Sequence, residues 1–154
     1  MNHSCHPRRR FGVALVLLLF IAGLAAPVRA DDAESKQAAV AAIQAWLKEM
    51  DAGQYGQSWT DAAGTFQKAL TSQQWVATAN AVRTQLGKCS NRTLASALAQ
   101  TQVPSPAGVQ KGNFVVAQFD SSFENLKYAI ETVCAEKTPD GSWKVDGYYI
   151  KPKS

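Results

Sequence analysis

The feature that most constrains this chain is a change of hydrophobic period near Gly87. Before it, apolar residues recur every three or four positions, the spacing of helices with one buried face. Val40, Ile43, Leu47 and Met50, widened by Ala39 and Trp46, predict a helix over 33–51, with Gly53 as its stop. Tyr55, Trp59, Ala62, Phe66 and Leu70 predict a second helix on the same spacing. Thr71 and Gln74 read as a capping box opening a third, striped by Trp75, Ala79, Val82 and Leu86 and ended by Gly87. After Gly87 the pattern alternates, as half-buried strands do. "NRTLASALAQTQV" and "NFVVAQFDSSF" predict two strands around a loop, "VPSPAGVQKG". "KYAIETVCAEK" and "SWKVDGYYIK" predict two more, joined at Asp140-Gly141, a pair suited to a tight turn. Helices first and an antiparallel meander second imply an α+β domain, three helices packed on one face of a mainly antiparallel four-stranded sheet.

The first 30 residues read as a leader. Arg8, Arg9 and Arg10 precede the apolar run "FGVALVLLLFIAGLAA", and Val28-Arg29-Ala30 offers a cleavage site before Asp31. The expectation is a signal peptide at 1–30, a single domain at 31–154 and a periplasmic or secreted product. An uncleaved anchor is the alternative, and "RRRF" leaves general and twin-arginine export both open. Cleavage removes four arginines, Arg29 among them, so the 16 basic residues fall to 12 against 12 acidic ones. A neutral chain has no surplus of positive charge to draw it to phosphates, so nucleic acid is not an expected partner. His3 and His6 leave too, and with them histidine acid–base chemistry and the commonest transition-metal ligand.

Two cysteines remain, Cys89 and Cys134. In an oxidising compartment the simplest expectation is a structural disulfide between them, worth up to about 4 kcal/mol for a loop of about 45 residues. No Cys-x-x-Cys spacing points to redox chemistry, and no acidic cluster has metal-ligand spacing.

Several separated blocks carry a resemblance. "AIQAWLKEMDAGQYGQSW", "FVVAQFDSSFEN" and "ETVCAEKTPDGSWKVDGYYIK", with "QW…AVR…LG" between them, resemble the bacterial exported family labelled domain of unknown function 4019, from about Ala42 to Lys151. The element order also resembles, more loosely, the nuclear transport factor 2-like superfamily of cone-shaped α+β folds, one early strand of the usual pattern not being visible. That likeness implies a pocket between sheet and helices, used by some members for isomerase or lyase chemistry and by others only to bind or dimerise.

Without histidine, such chemistry needs a buried carboxylate base and a phenol to hold an oxyanion. The strand candidates are Asp120, Glu131 and Asp146, with Glu124 at a turn; Tyr128, Tyr148 and Tyr149 are the available donors. Of these, Asp120, Glu131 and Tyr149 form the catalytic candidate set. Trp46, Trp59 and Trp75 fall on helix stripes and read as core. Trp143 opens a strand, and Tyr148 and Tyr149 must point to opposite faces, which makes these three the binding candidates. The balance favours a non-catalytic exported domain that binds a protein partner or a small apolar ligand, with no cofactor, no metal and a homodimer open. The alternative is a cone-fold isomerase or lyase using a buried carboxylate and a tyrosine.

Overall fold

The computed structural model describes residues 30–105 and 108–153. The expected leader lies outside them, except for Ala30. Among the described residues, α1 (Ala30–Asp51), α2 (Tyr55–Asp61), α3 (Gly64–Ala69) and α4 (Ser72–Leu86) precede β1 (Cys89–Ser105), β2 (Gly108–Phe123), β3 (Ala129–Lys137) and β4 (Trp143–Pro152). The strands form one antiparallel sheet in the order β1-β2-β3-β4. The domain is therefore α+β, as its change of period predicts. No described helix is long and apolar enough to cross a membrane.

The helix count departs from expectation. The segment 55–70 is broken into α2 and α3, because Ala62 and Ala63 are extended and the Ala63 N–H donates to the Val145 carbonyl of β4 at 2.8 Å. Both alanines are buried there. Their small side chains let the chain press against β4, and one sheet hydrogen bond replaces a turn of helix. The Gln67 side chain reaches back to the carbonyls of Trp59, Thr60 and Ala62, supplying donors to the open end of α2. At α4 the expected capping box is present, Thr71 and Gln74 each bonding the other's backbone N–H. Gly53 and Gly87 follow α1 and α4 at φ 72° and 73°, where a side chain would be strained.

The expected loop "VPSPAGVQKG" is also corrected. Pro104 pairs with Val109 and Ser105 with Gly108, so both strands run on into a long hairpin arm. Pro104 fits because β1 is an edge strand, where alternate N–H groups face away from the sheet. The arm bends. A straight β2 would carry Gln110 about 13 Å beyond Phe114, the partner of Glu136, at 3.3 Å per residue. Instead the Gln110 amide donates to Glu136 at 3.4 Å. The fold-back explains why Phe114 is 1% exposed although it faces away from Val115, Ala117 and Phe119. The helices cover one face of β2, and the arm covers the other at this point.

The core lies between the helices and the inner sheet face. It holds Ile43, Trp46, Leu47 and Met50 of α1, Phe66, Trp75 and Ala79, and Ala117, Phe119, Val133, Ala135 and Val145 of the sheet. In "DAGQYGQSW", Tyr55 and Trp59 are half-buried against this core, so the stretch is a packed corner. Its most buried residue is the polar one: Ser58 accepts the Trp46 indole N–H on its carbonyl at 2.7 Å and the Trp75 indole N–H on its hydroxyl at 3.0 Å.

The expected disulfide is absent. Cys89 and Cys134 are both free thiols. Cys89 lies opposite Phe123, and Cys134 opposite Val116, so seven residues of β2, about 23 Å, separate their levels in the sheet. A disulfide needs its Cα atoms within about 7 Å.

Candidate functional site

Glu131 is the third residue of β3, its side chain turned inward among the helices, 0% exposed. A carboxylate there requires partners, and four elements supply them. Arg92 of β1 donates from Nε to Oε2 at 2.6 Å and from Nη2 to Oε1 at 3.2 Å. Ser121 of β2 donates to Oε2 at 2.5 Å, and the Tyr148 hydroxyl of β4 donates to Oε1 at 2.6 Å. Arg83 of α4 stands 3.7 Å from Oε1 and donates to the Tyr148 oxygen at 3.3 Å. Asp51, at the end of α1, closes the network by accepting from Arg83 and from both terminal nitrogens of Arg92, at 2.6 and 3.0 Å. The sheet register makes this meeting possible: Arg92 lies opposite Ser121, and Glu131 pairs with Ile150, two residues beyond the level at which Val133 meets Tyr148 and so on the same face.

Two cations and two anions thus neutralise one another. Burial pushes Asp51 upward, but the hydrogen bonds and charges of Arg92 and Arg83 outweigh it and hold the carboxyl below its ordinary range. Burial works against the charge of Arg92 too, and there Asp51 and Glu131 prevail and raise its pKa. Burial, then the adjacent Glu131, push the Tyr148 phenol up. The Arg83 guanidinium also lies over the Phe123 ring, 5.1 Å from its centroid.

This geometry limits the chemistry. An ionised carboxylate has about four lone-pair sites. Glu131 accepts four hydrogen bonds, two of them from an arginine, so no lone pair is left to take a substrate proton. The catalytic candidate set is not assembled: Asp120 is on the outer face, bridged to Lys153 at 2.8 Å, and Tyr149 is 62% exposed on that same face. Glu131 and Tyr148 do meet, inside the network. Of the turn and strand acids, Glu124 accepts from the Lys88 N–H, and Asp146 receives the Thr65 hydroxyl at 2.5 Å. Trp143 is half-buried at the opposite end of the core, with Lys137 over its ring at 6.0 Å. Among the described residues no group of three or more His, Cys, Asp or Glu is placed to hold a metal ion. Burial, then Asp146 and Glu136, push the Cys134 thiol up to about 12, and burial also raises Cys89, so neither is poised as a nucleophile.

Arg83, Arg92, Asp51 and Ser121 escape the sequence reading. One signal was there: Arg83 follows Ala79 and Trp75 at intervals of four, on the stripe that is in fact buried, whereas Val82 is 40% exposed.

A concavity lies on the outer face, beneath the hairpin arm. It encloses about 570 Å³ between Val103 and Pro104 on one side and Val116, Cys134, Gly147 and Tyr149 on the other. From Ala42 to Tyr148 the chain matches the family described as protein of unknown function (DUF4019), over residues 42–148. The chain belongs to that family. The matched span takes in every member of the charged network and most of the groove, so both belong to the family domain. No curated protein and no solved structure matched the chain.

Proposed function

We propose that this DUF4019 chain is a small exported binding domain without catalytic activity, which takes an apolar group of a partner protein or small ligand on the outer face of its sheet. The observation that carries this reading is the groove under the hairpin arm. Its volume, about 570 Å³, is in the range of ligand sites, and its walls are largely apolar. Leu98, 57% exposed, and Tyr149 extend the apolar surface beyond the rim. The inner face is the contrary case. If the domain is a nuclear transport factor 2-like cone, its concave side holds a packed core around a saturated carboxylate, with a cleft of about 250 Å³ beside Arg83 and Tyr148. It is the saturation of Glu131 that favours binding over the isomerase or lyase alternative.

Titration with a fluorescent medium-chain acyl probe tests the reading. Saturable one-to-one binding is expected, lost in Val116→Asp and kept in Glu124→Gln, which lies far from the groove. Probe binding insensitive to Val116→Asp would place the ligand elsewhere. Export is tested separately: the protein recovered from the periplasm or medium should begin at Asp31 by mass analysis.

A further inference from the structure

β4 is the last strand of the sheet, and its outer edge has no strand partner among the described residues. The backbone groups on that edge follow from the hydrogen-bonding alternation of antiparallel pairs. At the turn, the Thr138 N–H donates to the Ser142 carbonyl, and at the far end the Lys153 N–H donates to the Tyr128 carbonyl. Counting inward from both ends, and allowing for the bulge at Asp146, both anchors agree. Gly147, Tyr149 and Lys151 turn their backbone groups toward β3, while Val145, Tyr148, Ile150 and Pro152 turn theirs outward. The Val145 carbonyl is taken by Ala63, and Pro152 has no N–H. Between these stops, the N–H and C=O groups of Tyr148 and Ile150 accept and donate no hydrogen bond among the described residues.

Beside this open segment runs an apolar cleft of about 250 Å³. One wall is Trp75, Thr78, Ala79 and Val82 of α4; the other is Tyr148, Tyr149 and Ile150 of β4. An edge with unmet backbone groups, next to a helix wall that accepts alternate side chains, is the arrangement in which an extended peptide adds to a sheet. A compact small molecule would fill the cleft but leave the edge groups unmet. Lys151, exposed at the end of the open segment, has no carboxylate within salt-bridge distance among the described residues.

We propose that the open edge of β4 binds an extended segment of a partner protein by strand addition, the segment pairing with Tyr148 and Ile150, placing apolar side chains against Val82, Ala79 and Trp75, and carrying an acidic residue opposite Lys151. This surface adjoins the groove under the hairpin arm and shares Tyr148 and Tyr149 with it, but the α4 wall belongs to this surface alone and Val116 to the groove alone, so either can fail alone.

The probe is a capped peptide alternating valine and threonine after a pair of glutamates, with two N-methylated versions, one methylated at the residues that face β4 and one at those that face away. Saturable binding to the full chain is expected, with hydrogen exchange at the Tyr148 and Ile150 amides slowed roughly tenfold or more, as for a hydrogen bond worth about 1.4 kcal/mol. Methylation facing β4 should abolish binding, methylation facing away should spare it, and Val82→Lys should weaken it about tenfold. Ile150→Pro should also abolish it, since that N–H faces outward and takes no part in pairing with β3. Three results would overturn the proposal: no binding at millimolar peptide, equal binding of both methylated versions, or a concentration-dependent dimer that Ile150→Pro dissolves, which would make the occupant a second copy of the chain. Because Val116→Asp alters only the outer groove, it should leave peptide binding unchanged.

Discussion

Two regions of this domain draw carboxylates out of water, and they solve the problem in opposite ways. Glu131 is surrounded by Arg92, Arg83, Ser121 and Tyr148, with Asp51 completing the neutrality of the group. Glu49, on α1, faces the Asp61 carboxylate of α2 instead, and its Oε2 is buried with no hydrogen-bond partner. The first carboxylate is deeper, yet it is the better accommodated one. Depth of burial does not decide the cost of a charge; the sign and number of its neighbours do.

The largest expected effect comes from breaking the first region. Glu131→Ala takes the acceptor from the Arg92 Nε, the Ser121 hydroxyl and the Tyr148 phenol and leaves two largely buried guanidinium groups with Asp51 as their one carboxylate. It should cost about 3–5 kcal/mol of stability, read from the urea midpoint. The sharper form replaces the pair. Glu131→Met combined with Arg92→Met substitutes apolar groups of similar length for the coupled charges, and a double-mutant cycle should recover most of that loss. If the double variant were as unstable as the single, the network would owe its stability to something other than matched charge.

A neutral version of the same principle operates at Ser58. Its hydroxyl accepts the Trp75 indole N–H and donates to the Tyr55 carbonyl, with no exposure to solvent. Ser58→Ala keeps the packing almost unchanged but strands that indole donor. It should cost about 1–3 kcal/mol, below the loss at Glu131, because an unpaired N–H is cheaper to bury than an unpaired charge.

These cases mark what a sequence discloses. The α+β order, the strand-to-strand turn at Asp140 and the cap at Thr71 were legible because each is local: a period, a dipeptide, a four-residue spacing. Asp140 even accepts the Ser142 N–H at 3.0 Å, the bond that a turn aspartate is there to make. The break at Ala62 and Ala63 was not legible, since two alanines read as good helix and only the Val145 carbonyl across the sheet shows why they leave it. The fold-back of the hairpin arm likewise depends on Gln110 meeting Glu136, a contact invisible to any window of neighbours. Ser58, Arg83 and Arg92 were missed for one shared reason. Polar residues are assigned to the surface unless their partners are known, and here the partners come from other elements. Cys89 and Cys134 erred the other way: compartment chemistry argued for a pair that strand register forbids.

The smallest expected effect lies in the second region and has the opposite sign. Burial first, and then the Asp61 charge, raise the Glu49 pKa in the folded state. A carboxyl whose folded pKa lies above its unfolded value binds its proton more tightly when folded. Its favourable contribution is complete below the unfolded pKa, about 4.3, and is lost as pH rises through the folded value. Asp51 runs the other way: its folded pKa is lowered, so its contribution is present above the unfolded value and is lost as pH falls through the folded one. Glu49→Gln has no charge to lose, and its amide can donate to Asp61. It should therefore be slightly more stable than the parent at neutral pH, by up to about 0.5 kcal/mol, the scale of most surface changes. Its advantage should shrink as pH falls, reaching a constant below the unfolded pKa. Parallel urea titrations at pH 4 and pH 7 measure this, and an equal difference at both would show that folding does not raise the Glu49 pKa.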